Sequence, residues 1–176
     1  MLGSRRAYED FTLEKYTADT TESRQALDYA RGFNPKTDNA FIYGPAGGGK
    51  SHIAAAIARR FARFKVEKAT DIMRELRAAV MRDPLSENDV IDGKAAIPIY
   101  VIDDMGVEKT TDFSSTGLYD IIDRRWLAKR NGLIVTSNLD LDALAAKLGD
   151  DRVASRLNGM CTCLSLTGER DRRIST

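Results

Sequence analysis

Eight consecutive residues, Gly44-Pro45-Ala46-Gly47-Gly48-Gly49-Lys50-Ser51, fill every fixed position of the pattern G-x-x-x-x-G-K-[ST]. Glycines so placed let the backbone curl until successive N–H groups point at one spot. The helix that follows adds the positive end of its dipole. A triphosphate suits such a cradle, so the expected ligand is ATP with Mg2+. Lys50 is expected to neutralise the β and γ phosphates, and the Ser51 hydroxyl to bind the metal. His52 comes next, in the first helical turn. As the chain's only histidine it can build neither a triad nor a metal cluster, so it is grouped with the cradle and read as structural.

Three further groups can complete a reaction. The apolar run Ile99-Tyr100-Val101-Ile102 delivers Asp103 and Asp104 at its end. Magnesium and a hydrolytic water need two such carboxylates, Asp103 to hold the metal and Asp104 to orient or deprotonate the water. Leu133-Ile134-Val135 runs into Thr136-Ser137-Asn138. Asn138 can sit between the γ-phosphate and that water, with Ser137 or Thr136 as substitutes; equally, Asn138 and Asp140 can start the next helix. Finally, Asp151-Arg152-Val153-Ala154-Ser155-Arg156-Leu157 puts Arg152 and Arg156 on one helical face. Two readings stand: solvated surface charge, or an arginine finger reaching a neighbouring subunit's site to stabilise transition-state charge.

The elements that position these groups are legible in outline. Asp19 with Glu22 suits a helix start, Ala26, Leu27, Tyr29 and Ala30 give it an apolar stripe, and Asn34-Pro35 ends it. Strands are expected at Ala40 to Tyr43, Val66 to Ala69, Ile97 to Ile102, Leu133 to Thr136 and Cys161 to Leu166. Helices are expected from Lys50 to about Phe64, around Asp71 to Met81, within the polar stretch Pro84 to Lys94, from Ser114 to Lys129, and from Leu141 to Leu148. A basic helical turn follows at Arg152 to Leu157. Continuous apolar strands alternating with helices predict an α/β fold, a three-layer αβα sandwich around a parallel sheet. Residues 1–36 are read as an arm and helix ahead of a domain at 37–176.

Bulk properties narrow the classes. The 176 residues are 43% apolar and 30% charged, as in an ordinary folded domain, and the net charge of +1 excludes a strongly basic arm that holds nucleic acid by charge alone. Local basic patches remain: Arg124, Lys129 and Arg130 at a helix end, and Arg170, Arg172 and Arg173 in the tail. The chain carries no apolar run of membrane-spanning length and no secretory stretch, which suggests a cytoplasmic location without a membrane partner. Cys161 and Cys163, one residue apart in a strand, point to opposite faces and do not pair.

Taken in order, these groups resemble an AAA+ ATPase, and within that class the DnaC/IstB/DnaI group of bacterial and phage helicase loaders. The likeness rests on Tyr8-Glu9-Asp10-Phe11-Thr12-Leu13, Tyr43 to Ile57, Val101-Ile102-Asp103-Asp104-Met105-Gly106, Ile134-Val135-Thr136-Ser137-Asn138-Leu139 and Asp151 to Leu157, and covers nearly the whole chain. The resemblance implies Walker A at Gly44 to Ser51, Walker B at Asp103 and Asp104, sensor 1 at Asn138, and an arginine finger at Arg156 assisted by Arg152. It implies ATP bound between protomers of an oligomer or helical filament. It also implies partnership with a replicative DnaB-type hexameric helicase on single-stranded DNA. Three departures are visible. The wider class commonly has glutamate at the Asp104 position. Little or no C-terminal helical lid is expected after Arg156, although a tail arginine could reach the phosphates. Only residues 1–43 precede the P-loop, so either a helicase-binding domain is absent, as in a trimmed or a compact phage protein, or the short arm does its job.

Three other functions fit some of these residues. An IstB-like transposition regulator would use the same core on duplex DNA, a small-molecule kinase shares the P-loop, and a non-hydrolysing nucleotide switch would follow from a slow Asp104.

Overall fold

The computed structural model describes residues 8–83, 86–107 and 112–167, with the side chains of 112–115 excepted. The tail arginines 170, 172 and 173 and Pro84 lie outside the described residues. Among the described residues five strands form one sheet: β1 (Ala40–Tyr43), β2 (Phe64–Lys68), β3 (Ile99–Met105), β4 (Leu133–Ser137) and β5 (Thr162–Ser165). Their order is β2-β3-β4-β1-β5 and every neighbouring pair is parallel. The three central strands are the apolar runs of the sequence and are buried almost throughout. The two edge strands, β2 and β5, are partly exposed and more polar, as strand edges facing water must be.

Among the described residues, seven helices cover the sheet: α1 (Thr21–Gly32), α2 (Lys50–Arg59), α3 (Ala69–Arg82), α4 (Ser86–Ala95), α5 (Asp112–Leu127), α6 (Leu141–Leu148) and α7 (Arg152–Met160). On one face the arm, α1 and α2 bring Tyr8, Leu27, Ile53 and Ile57 against Ile42, Val101 and Ile134. On the other, α3 to α7 bring Ile72, Leu118, Leu144 and Leu157 against Phe41, Tyr100, Ile102 and Val135. Each fully buried Ile or Leu contributes about 1.5–3 kcal/mol of transfer free energy, so the strand alternation fixes which helix packs where. This is the predicted three-layer αβα architecture. Inserting β4 between β1 and β3 has a functional consequence: the Thr136 end of β4 lies between the P-loop strand and the carboxylate strand.

Several element ends differ from the sequence expectation. Helix α1 is capped by Thr20 rather than Asp19. The Ser23 N–H donates to Thr20 Oγ1 at 3.2 Å, and the Thr20 N–H donates to Ser23 Oγ at 3.0 Å, so two hydroxyls complete the capping box without Glu22. Helix α2 stops at Arg59 instead of near Phe64, because Phe64 is drawn into the ladder opposite Ile99. Strand β3 extends past Ile102 to include both aspartates and Met105, and α7 runs on to Met160. Both cysteines are free thiols.

Candidate nucleotide-binding site

The loop after β1 is built from backbone geometry that side chains would obstruct. Gly44 sits at φ +145°, and a Cβ there would lie 2.8 Å from the Leu166 carbonyl carbon. Its N–H donates to the Ser137 carbonyl at 3.3 Å, tying the loop to β4. Pro45 then turns the chain, and its carbonyl accepts from both the Gly48 N–H (3.3 Å) and the Lys50 ammonium (2.7 Å). Ala46 and Gly47 form the intervening bend. Gly49, at φ +87°, is the N-cap of α2 and supplies no capping side chain. The first turn of α2 also carries no acidic residue, so nothing on the helix itself offsets its positive end. Lys50 is buried in that first turn and Ser51 half-buried beside it.

The two aspartates occupy a bulge. Ile102 pairs with Val135 and Met105 with Ser137, so Asp103 and Asp104 together face Thr136. Thr136 serves both: its hydroxyl donates to Asp103 Oδ1 at 2.7 Å and accepts from the Asp104 N–H at 2.9 Å. Asp104 takes φ +58°, in the left-handed region that aspartate tolerates better than most residues. The kink breaks the strand alternation at this residue, which is the means by which a bulge re-aims a side chain. Asp103 is buried. Ser137 closes the strand end by donating to the Met105 carbonyl at 2.7 Å and accepting from the Leu139 N–H at 3.0 Å.

Asn138, one residue past β4, is exposed. The helix that follows is capped by Asp140, whose carboxylate accepts from the Ala143 N–H at 2.8 Å; Asn138 is therefore not the cap. The arginines of α7 stand apart from this cluster, against α5. Arg152 binds the Asp150 carboxylate (2.6–3.0 Å) and lies over the Tyr119 ring, 4.6 Å from its centroid. Arg156 donates to Asp123 Oδ1 at 2.7 Å, with Trp126 beneath it.

One part of the site has no role assigned from sequence, although Tyr8 to Leu13 carries part of the family likeness. The arm folds against α2 and β3, and the Tyr8 hydroxyl donates to Asp103 Oδ2 at 2.8 Å across 95 residues. Burial, then the Asp103 charge, push the phenol far above its ordinary range, so it stays a donor. His52 is clamped by the same segment: Nε2 donates to the Thr12 carbonyl at 2.8 Å, and Phe11 stacks on the ring at 4.7 Å. The structural reading of His52 thus acquires particular partners.

The curled loop with its glycine-only approach and the oxygen donors of Ser51 and Asp103 fit a magnesium nucleotide. Among the described residues no group of three or more His, Cys, Asp or Glu could hold a metal by itself. Magnesium needs only one or two protein oxygens, which Ser51 and Asp103 could supply, and completes its shell from phosphates and water.

Fold and site together define a P-loop NTPase of the AAA+ class. The family described as "IstB-like ATP binding protein" matches residues 2–174, and the chain belongs to that family. The replicative helicase loader DnaC of Escherichia coli (strain K12) is 27% identical over 164 residues, which cover 88% of this chain and 66% of that protein. The chain thus spans just under two thirds of that relative's length. Among solved structures, the DnaC helicase loader superposes with a TM-score of 0.78 at 22% identity, covering 91% of this chain and 98% of that one. DnaI gives 0.77 at 20% identity, covering 91% and 93%. No helix among the described residues is long and apolar enough to cross a membrane.

Proposed function

We propose that this chain is an ATP-hydrolysing helicase loader, whose module at residues 37–176 is served by the arm at 1–36. The observation that carries the hydrolytic reading is the Thr136 bridge on the strand between the carboxylate strand and the P-loop strand, which holds the Asp103 carboxylate and the Asp104 backbone N–H together. Gly44 to Ser51 wrap the triphosphate, with Lys50 exchanging its Pro45 carbonyl for phosphate oxygens. Ser51 and Asp103 would hold magnesium, which when bound supplies charge neutralisation on the phosphate oxygens. A carboxylate oxygen of Asp104 accepts the proton of the attacking water, and Asn138, exposed and free of capping duty, orients that water. Arg156, with Arg152 beside it, would act on a neighbouring protomer's phosphates by leaving Asp123. Similarity to DnaC loaders supports a DnaB-type hexameric helicase and single-stranded DNA as partners, and an oligomer as the working form.

The test is ATP turnover per protomer against protein concentration, with and without single-stranded DNA. Rates should rise with both. Arg156→Ala should bind ATP normally yet lose most turnover, and mixing it with Lys50→Ala should restore part of it, since mixed assemblies pair an intact Lys50 site with an intact Arg156. A concentration-independent rate that survives Arg156→Ala would overturn the intersubunit site.

A further inference from the structure

The Tyr8 hydroxyl and the Thr136 hydroxyl hold opposite oxygens of Asp103, at 2.8 and 2.7 Å. Tyr8 is 8% exposed and Asp103 2%. We propose that Tyr8 is an outer-sphere positioning residue of the magnesium site, which makes the N-terminal arm a working part of that site. This rests on the reading of Asp103 as the metal carboxylate.

A carboxylate at a strand end can rotate about its last torsion, which has broad rather than sharp minima. One donor on each oxygen fixes its plane. Both donors are neutral hydroxyls, so the negative charge is kept, and each oxygen retains acceptor capacity for a metal or its water. Thr136 comes from the neighbouring strand and follows β3 wherever it goes. Tyr8 comes from outside the sheet and is anchored separately: the arm grips α2 through Phe11 and Thr12 on His52, and Arg59 at the end of α2 reaches the Tyr8 carbonyl at 3.5 Å. The arm therefore spans both halves of the site, the P-loop helix and the carboxylate strand. A ring that merely filled the apolar cluster beneath the arm would need no hydroxyl. Outer-shell hydrogen bonds of this kind typically set metal affinity by 10–100-fold.

Tyr8→Phe keeps the ring and removes only the donor. The measurement is a magnesium chloride titration of the full chain with a fluorescent ATP analogue, alongside thermal melting and the same titration on Asp103→Asn. Tyr8→Phe should raise half-saturating magnesium about tenfold while leaving magnesium-free nucleotide affinity and the melting temperature near wild type. If Asp103→Asn weakens the magnesium response but Tyr8→Phe does not, whether or not melting shifts, Tyr8 is only packing and the proposal falls while the metal reading stands. If Asp103→Asn also leaves the response unchanged, the metal reading falls and takes the proposal with it.

Discussion

The two ends of the sheet each bury a charged side chain, and they use it differently. At the N-terminal edge Arg125 is fully buried and donates to the carbonyls of Ala95, Ile97, Pro98 and Asn131 at 2.6–3.5 Å. Desolvation, then the nearby Arg130, pull its guanidinium down to about 10. Asn39 completes that edge, donating to Asn131 Oδ1 and the Met160 carbonyl and accepting from the Leu133 N–H. At the C-terminal edge Asp103 is as deeply buried, but two hydroxyls hold it and lone pairs remain. Lys50 likewise rests on a carbonyl of its own glycine-rich loop, that of Pro45, a partner it can exchange. Charge at one end is spent on the fold, whereas charge at the other is only positioned. A buried ion indicates a site when its partners are replaceable, and a structural pin when they are backbone groups with nowhere else to go.

Variants at four positions break or sharpen that contrast. Arg125→Met should have the largest effect, destabilising the fold by about 4 kcal/mol because it orphans several buried carbonyls. Urea unfolding measures this, and nucleotide affinity of the folded protein should not change. Lys50→Ala should do the reverse, with nucleotide affinity falling about a hundredfold by titration calorimetry (~2.7 kcal/mol) and stability nearly kept. Thr136→Val leaves the Asp104 N–H and one Asp103 oxygen without their hydroxyl, for about 2 kcal/mol in the same unfolding experiment. Smallest is the backbone kink: Asp104→Val should cost about 1–2 kcal/mol at φ +58°, while Asp104→Asn, which accepts left-handed geometry, should stay within about 0.5 kcal/mol. Equal stabilities for those two would show that the kink is not strained.

Legibility from sequence followed the range of the interactions. The P-loop, the three central strands and the helix at Leu141–Leu148 are set by contiguous residues and were readable. Helix ends were less so: Asp19 and Thr20 are both good caps, and which one serves depends on whether Ser23 can reciprocate. The end of α2 could not be seen because the apolar residues beyond Arg59 suit a helix or an edge strand, and only pairing with β3 selects the strand. For Asn138, its composition allowed a cap or a free polar group, and Asp140 took the cap. The Arg125 pin was hidden in a helix that reads as an ordinary basic surface at Arg124, Lys129 and Arg130; of these, Arg124 in fact binds Asp92 and Asn88, and Arg130 reaches the Ala96 carbonyl.

By itself the sequence determined the class of the protein and the glycine-rich loop proposed here as its phosphate cradle. Glycine spacing and apolar alternation are local properties, and each acts through the few residues beside it. Tertiary structure alone decided three things: that β4 enters between β1 and β3, that a bulge sets Asp104 apart from Asp103 across one threonine, and that a tyrosine of the arm completes the carboxylate's shell. Each joins residues 30 or more positions apart, as in the 33 between Thr136 and Asp103 and the 95 between Tyr8 and Asp103. Contacts of that range depend on how the layers pack, which no short window of sequence encodes.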